Sequence, residues 1–171
     1  MPSSIWTRKR DLVYLIYFIV ALPIVFIMDC QAIYPPQSTP AVLTSLKEFY
    51  IRNYNDQFYV KTPQFFKTFL WFELLYQAPA MAWGIQGLYK DSPKVPLVLL
   101  PFSVKVFLTT LTCMLEFPGW NIPNQQKITL CTLYGPYLLL SAFMMGDMYL
   151  RLNTIINKLM ASQNEGTKKS Q

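Results

Sequence analysis

The chain has 171 residues, of which 53% are hydrophobic, 16% aromatic and only 14% charged. That charge content lies well below the roughly 25% of an ordinary soluble domain, so the apolar excess points to one membrane domain rather than a soluble core. The net charge of +6 does not make a nucleic-acid face, because the basic residues stand at the ends of apolar runs; and the absence of histidine excludes His-based nucleophilic dyads and nearly all zinc sites.

Four apolar runs each hold the roughly 20 residues that a hydrocarbon core of about 30 Å requires. They extend from about Leu12 to Tyr34, Gln64 to Leu88, Val95 to Phe117 and Ile128 to Leu150. The first has a basic flank, Arg8-Lys9-Arg10, but its length and its lack of a small-residue cleavage site make it a retained helix and not a signal peptide. Residues 30–63 form a long connection that opens with Pro35-Pro36 and Pro40 and closes at Pro63. Its aromatic middle, Leu43 to Tyr59, is expected to pack over the end of the bundle as a lid or hairpin. A short loop around Asp91-Ser-Pro-Lys94 and the turn Gly119-Trp-Asn-Ile-Pro123 make the other two connections.

Each run carries a proline: Pro23, Pro79, Pro101 and Pro136. A proline inside a helix removes a backbone hydrogen bond and frees a carbonyl, which lipid tolerates where a neighbour, water or a cavity satisfies it. Four in one small bundle point to a hollow. The fold class is therefore an all-α membrane protein, a four-transmembrane-helix bundle with proline-kinked helices and a lumenal loop covering the pocket. Arg8, Lys9, Arg10, Lys90, Lys94, Arg151, Lys158, Lys168 and Lys169 fall on one side, against Lys47, Arg52, Lys61, Lys67 and Lys127 on the other. That bias puts both termini in the cytosol. Residues 8–155 form the transmembrane domain and 156–171 a polar cytosolic tail, expected to be disordered after Ala161. Cys30, Cys113 and Cys131 lack any CxxC spacing and read as buried thiols, with a Cys30–Cys131 disulfide left open.

Two carboxylates interrupt the apolar runs, Asp29 and Glu73, each costing roughly 2.5–3.5 kcal/mol on insertion scales. At about 1.5 Å rise per residue, Asp29 lies about 8 Å and Glu73 about 12 Å below the same face, level to within one turn. Two acids in a low-dielectric site do not both ionise cheaply, so one holds a proton, the deeper Glu73. Such a pair can accept a cationic amine or hydrogen-bond a hydroxyl; it can also serve only to join two helices. Gln77 shares the face of Glu73, and Thr109, Thr110, Thr112, Tyr134 and Tyr137 bring polar groups to the same half. Lys105, near mid-span, is expected to reach Asp147 in a second ion pair toward the cytosolic side.

The stretches Met28-Asp29-Cys-Gln-Ala-Ile-Tyr-Pro35, Phe66-Lys-Thr-Phe-Leu-Trp-Phe-Glu73-Leu-Leu-Tyr-Gln77 and Tyr134-Gly-Pro-Tyr137 resemble the sigma-2 receptor (transmembrane protein ninety-seven) family. These are four-helix endoplasmic reticulum proteins of the EXPERA superfamily, which also holds the emopamil-binding sterol isomerases. The resemblance implies a ligand pocket in the lumenal half that opens sideways to the membrane. It makes Asp29 the acid that pairs with cationic amines and Glu73 its protonated partner. It adds Gln77, Met28, Thr110, Tyr134 and Tyr137 as lining residues, with Phe49, Tyr50, Tyr54 and Tyr59 from the loop. Ala21 and Lys105 stand where relatives carry histidine. Family members bind cholesterol and oxysterols and influence sterol transport through a large lysosomal cholesterol transporter. The ending Lys168-Lys169-Ser-Gln resembles a dilysine retrieval signal.

The expected function is thus an endoplasmic reticulum membrane protein that binds sterols or hydrophobic amines among membrane lipids, with a homodimer open and no cofactor, metal or nucleic acid. Two alternatives stand beside it. One is an isomerase that moves a sterol double bond with Asp29 and Glu73 as acid and base, against which the missing histidines count. The other is an adaptor that stabilises a larger membrane partner.

Overall fold

The structure, a computed structural model, describes residues 4–169 apart from 36 and 38, with side chains to 163. Every regular element among them is helical. Helix α1 spans Lys9–Ile27 with Pro23 inside it. It gives way to a 3-10 turn, Asp29–Ala32, as the chain approaches Pro35. The Gln31 side chain donates to the Ile27 carbonyl, which occupies an acceptor that the helix end leaves open.

The connection expected to be a lid is built of two helices, α2 (Ala41–Tyr54) and α3 (Gln57–Lys61). Asn55, at φ 51°, turns the chain between them; asparagine reaches this left-handed region at modest cost. Asp56 then caps α3 by accepting from the Phe58 amide at 2.9 Å.

From Gln64 the chain is helical to Tyr89 in three pieces: α4 (Gln64–Phe72), a π turn (Glu73–Gln77) and α5 (Ala78–Tyr89). Pro79 lies in the first turn of α5. Its missing N–H and its ring do not fit the regular ladder, and a widened turn before it absorbs both. Helix α6 spans Val95–Glu116 and holds Pro101; a 3-10 turn, Phe117–Gly119, leads to α7, Asn124–Lys169, which holds Pro136. The tail expected to be disordered after Ala161 instead extends α7 as helix. The side chains of Lys168 and Lys169, read as a retrieval signal, lie outside the described ones. Among the described residues, three helical stretches are long and apolar enough to cross a membrane: Lys9–Ala32, Val95–Gly119 and Asn124–Gln163.

Helix α1 packs on α5, α5 on α6 and α6 on α7. The Tyr14–Phe143 and Tyr17–Tyr137 ring contacts bring α7 back to α1. The core of one half holds Tyr14, Phe18, Met81, Leu99, Phe102 and Met144. Gly84 permits this approach: a Cβ there would stand 2.8 Å from the Phe18 ring and 3.2 Å from Leu99. The core of the other half joins the lid to α4, α6 and α7 through Phe58, which stacks on Phe66 at 4.7 Å and meets Trp120 edge-on at 4.8 Å. The three cysteines are free: Cys30 and Cys113 are buried and Cys131 is exposed, so no Cys30–Cys131 bridge forms.

Candidate functional site

Between the two core clusters lies a cavity of about 300 Å³, at the lower end of the roughly 300–1,000 Å³ of small-molecule sites. Apolar and aromatic side chains make most of its wall, among them Val25, Phe66, Phe69, Leu70 and Leu133. Asp29 and Glu73 both open onto it, so the two acids share one space as the depth arithmetic required. The route differs from expectation. The α-helix stops at Ile27 and Asp29 heads the 3-10 turn that follows, while Glu73 opens the π turn of the next segment.

Of the residues proposed from sequence, Met28, Asp29, Tyr50, Tyr59, Glu73, Gln77, Thr110, Tyr134 and Tyr137 line the cavity. Thr109 and Thr110 both reach it. Phe49 does not: it sits on the outer face of α2 and is 62% exposed. Tyr54 does not reach it either, packing behind Tyr50 with ring centres 4.9 Å apart. On α2, spacing alone does not say which of several aromatics turns inward.

The acids are held differently. Asp29 Oδ1 accepts a hydrogen bond from the Tyr59 hydroxyl at 2.8 Å, which ties the lid to the end of α1. Burial, with Asp29 adjacent, pushes the Tyr59 hydroxyl well above its usual range, so it remains a donor. Glu73 Oε1 lies 3.8 Å from Lys105 Nζ, and Lys105 donates to Gln77 Oε1 at 2.7 Å. The other carboxylate oxygen, Glu73 Oε2, is buried with no hydrogen-bond partner. An acceptor left open inside a fold costs about 1–3 kcal/mol. Lys105 thus sets a cation beside Glu73 and holds Gln77 by its amide oxygen.

This placement overturns the expected Lys105–Asp147 pair. Asp147 is bound at the opposite end of the bundle by Arg10 (2.8 Å), Arg151 (2.7 Å) and the Tyr14 hydroxyl (3.1 Å). Arg151 also holds Asp11 at 2.6 Å, so α1 and α7 are clasped there by a charged network.

Asp56 and Tyr17 are among the residues at the site that escaped the sequence reading. Asp56 is fully buried beneath the lid and accepts from Tyr50 at 3.0 Å and Tyr134 at 2.9 Å, besides capping α3. Its position ahead of Gln57-Phe58-Tyr59 is an N-cap pattern that could have found it. Tyr17 lines the cavity with Ala21 and Met28, and its helical spacing to those residues was the available signal.

A family profile described as EXPERA (EXPanded EBP superfamily) matches residues 42–148, more than half of the chain. The chain belongs to the EXPERA superfamily. The matched stretch contains the lid, Asp56, Glu73, Gln77 and Lys105 and leaves α1 with Asp29 outside. Among characterised proteins of similar sequence is Sigma intracellular receptor 2 of Xenopus tropicalis, 26% identical over 152 residues, covering 83% of this chain and 89% of that protein. The human Sigma intracellular receptor 2 is 25% identical over 138 residues, 73% of this chain and 78% of its own length. Efficient mitochondria targeting-associated protein 19 of Schizosaccharomyces pombe is 29% identical over 145 residues, 83% of this chain and 76% of that protein. A membrane protein of this superfamily, similar to the sigma-2 receptors, is therefore what the chain is.

Proposed function

We propose that this EXPERA protein binds a sterol or another hydrophobic ligand, cationic amines included, in the cavity that Asp29 and Glu73 share. The segment Gln64–Tyr89 is then a fourth membrane crossing, the lid lies on the lumenal face and both termini are cytosolic in the endoplasmic reticulum. The observation that carries this reading is the cavity itself, mostly apolar, with two acids among the residues of its wall. Buried polar groups in apolar walls are how small-molecule sites orient an otherwise greasy ligand. A role in sterol homeostasis or transport follows from holding such a ligand without consuming it.

The test is saturable capture of a photoactivatable sterol by the purified protein, comparing wild type with Asp29→Asn and Glu73→Gln. Capture falls by about tenfold or more in each folded variant if the acids orient the ligand, since one lost buried polar contact is worth about 1.4 kcal/mol or more. Unchanged capture in both would reduce the acids to helix-joining structure.

A second reading is an accessory protein of a larger membrane partner; the name of the fission-yeast relative refers to association with mitochondria targeting. Pulldown of one partner with equal yield from wild type and from both acid variants would support it over ligand binding.

A further inference from the structure

Lys105 stands behind the cavity wall, its ammonium 2.7 Å from Gln77 Oε1 and 3.8 Å from Glu73 Oε1. An ammonium only donates, so the Gln77 amide is fixed with its oxygen toward Lys105, leaving its two Nε2 hydrogens for the cavity that Gln77 lines. Glu73 Oε2 is buried without a hydrogen-bond partner among the described residues, so Gln77 supplies the polar hydrogens of this stretch of wall. Lys105 Nζ thus faces Glu73 as well as Gln77. Among the described residues, Asp29 is then the one acid of the cavity wall without a cation against it.

We propose that Lys105 is a specificity-determining residue that turns this part of the wall into a seat for a neutral hydroxyl and against a cationic amine. A hydroxyl accepts from Gln77 Nε2 through its oxygen lone pairs and needs no acid beside it. A protonated amine only donates; it faces the amide donors and the Lys105 charge, and finds its acid at Asp29 alone. The inference rests on the cavity-binding reading above and narrows its ligand class to hydroxylated neutral lipids.

The experiment is competition against the photoactivatable sterol by two probes with one skeleton, cholesterol and its 3-amino analogue, on the purified full chain. In wild type cholesterol competes about tenfold better or more. In Lys105→Met that preference shrinks by about tenfold, as Glu73 becomes available to the amine, while Lys105→Arg keeps it. A second variant, Gln77→Leu, removes the amide donors without touching a charge and weakens cholesterol more than the amine. An unchanged preference in folded Lys105→Met, or, should that variant not fold, in Gln77→Leu, overturns the proposal. If wild type captures no sterol at all, the cavity-binding reading itself fails; if capture is normal and the preference does not move, only the role of Lys105 fails.

Discussion

Asp56 concentrates in one residue the forces that close the lid. Its carboxylate holds the Phe58 amide of α3, Tyr50 of α2 and Tyr134 of α7, so three elements meet on two oxygens. Replacing it with alanine leaves these donors in a buried place without an acceptor, at a cost of about 2–4 kcal/mol. Faster amide exchange over residues 41–61, with the far end of the bundle unaffected, is the expected readout. Burial raises the Asp56 carboxyl above the usual carboxylate range, against the three hydrogen bonds that pull it down. A carboxyl with a folded pKa above its unfolded value binds more protons when folded. Its favourable contribution is complete below the unfolded value of 3.8 and is lost as pH rises through the folded value. Wild type should therefore lose thermal stability relative to Asp56→Asn as pH rises through that window; a difference independent of pH would contradict this account.

At the scale of elements, Gly84 sets how closely α5 approaches α1 and α6. Gly84→Leu forces a side chain where even a Cβ meets Phe18 at 2.8 Å. Overpacking of this kind costs about 1–3 kcal/mol, or roughly 3–10 °C in Tm for a chain of this size. Gly119→Ala, with nothing within 4 Å of the added carbon, is the control expected to melt as wild type. The apolar runs that became α1, α6 and α7 were legible because lipid demands long uninterrupted stretches. The lid was legible only as an aromatic segment, since nothing local said that Ala41–Tyr54 and Gln57–Lys61 would each be helical. The π turn at Glu73–Gln77 was hidden as well: Pro79 announces a disturbed ladder without saying how the preceding turn absorbs it. That turn places Glu73 and Gln77 on the same cavity wall.

Across the whole molecule, charge is divided between two ends. One end clasps α1 to α7 through Arg10, Arg151, Asp11 and Asp147, and the other encloses Asp29, Glu73 and Lys105 around a cavity. Height along a helix can be counted in sequence, and it brought Asp29 and Glu73 together correctly. Direction around the helix axis depends on packing, and for that reason Lys105 was assigned to Asp147 when its partners are Glu73 and Gln77. Counting likewise could not separate inward Tyr50 from outward Phe49. The central claim is that the cavity between the lid and the acids holds the ligand. The most direct measurement is the location, by mass spectrometry of digested protein, of the carbons captured by a photoactivatable sterol at saturating concentration. Capture at cavity residues such as Met28, Thr110 and Leu133, displaced by excess unlabelled sterol, is the predicted result. Capture confined to outward positions such as Leu75 and Leu139, and not displaced by excess sterol, would contradict it.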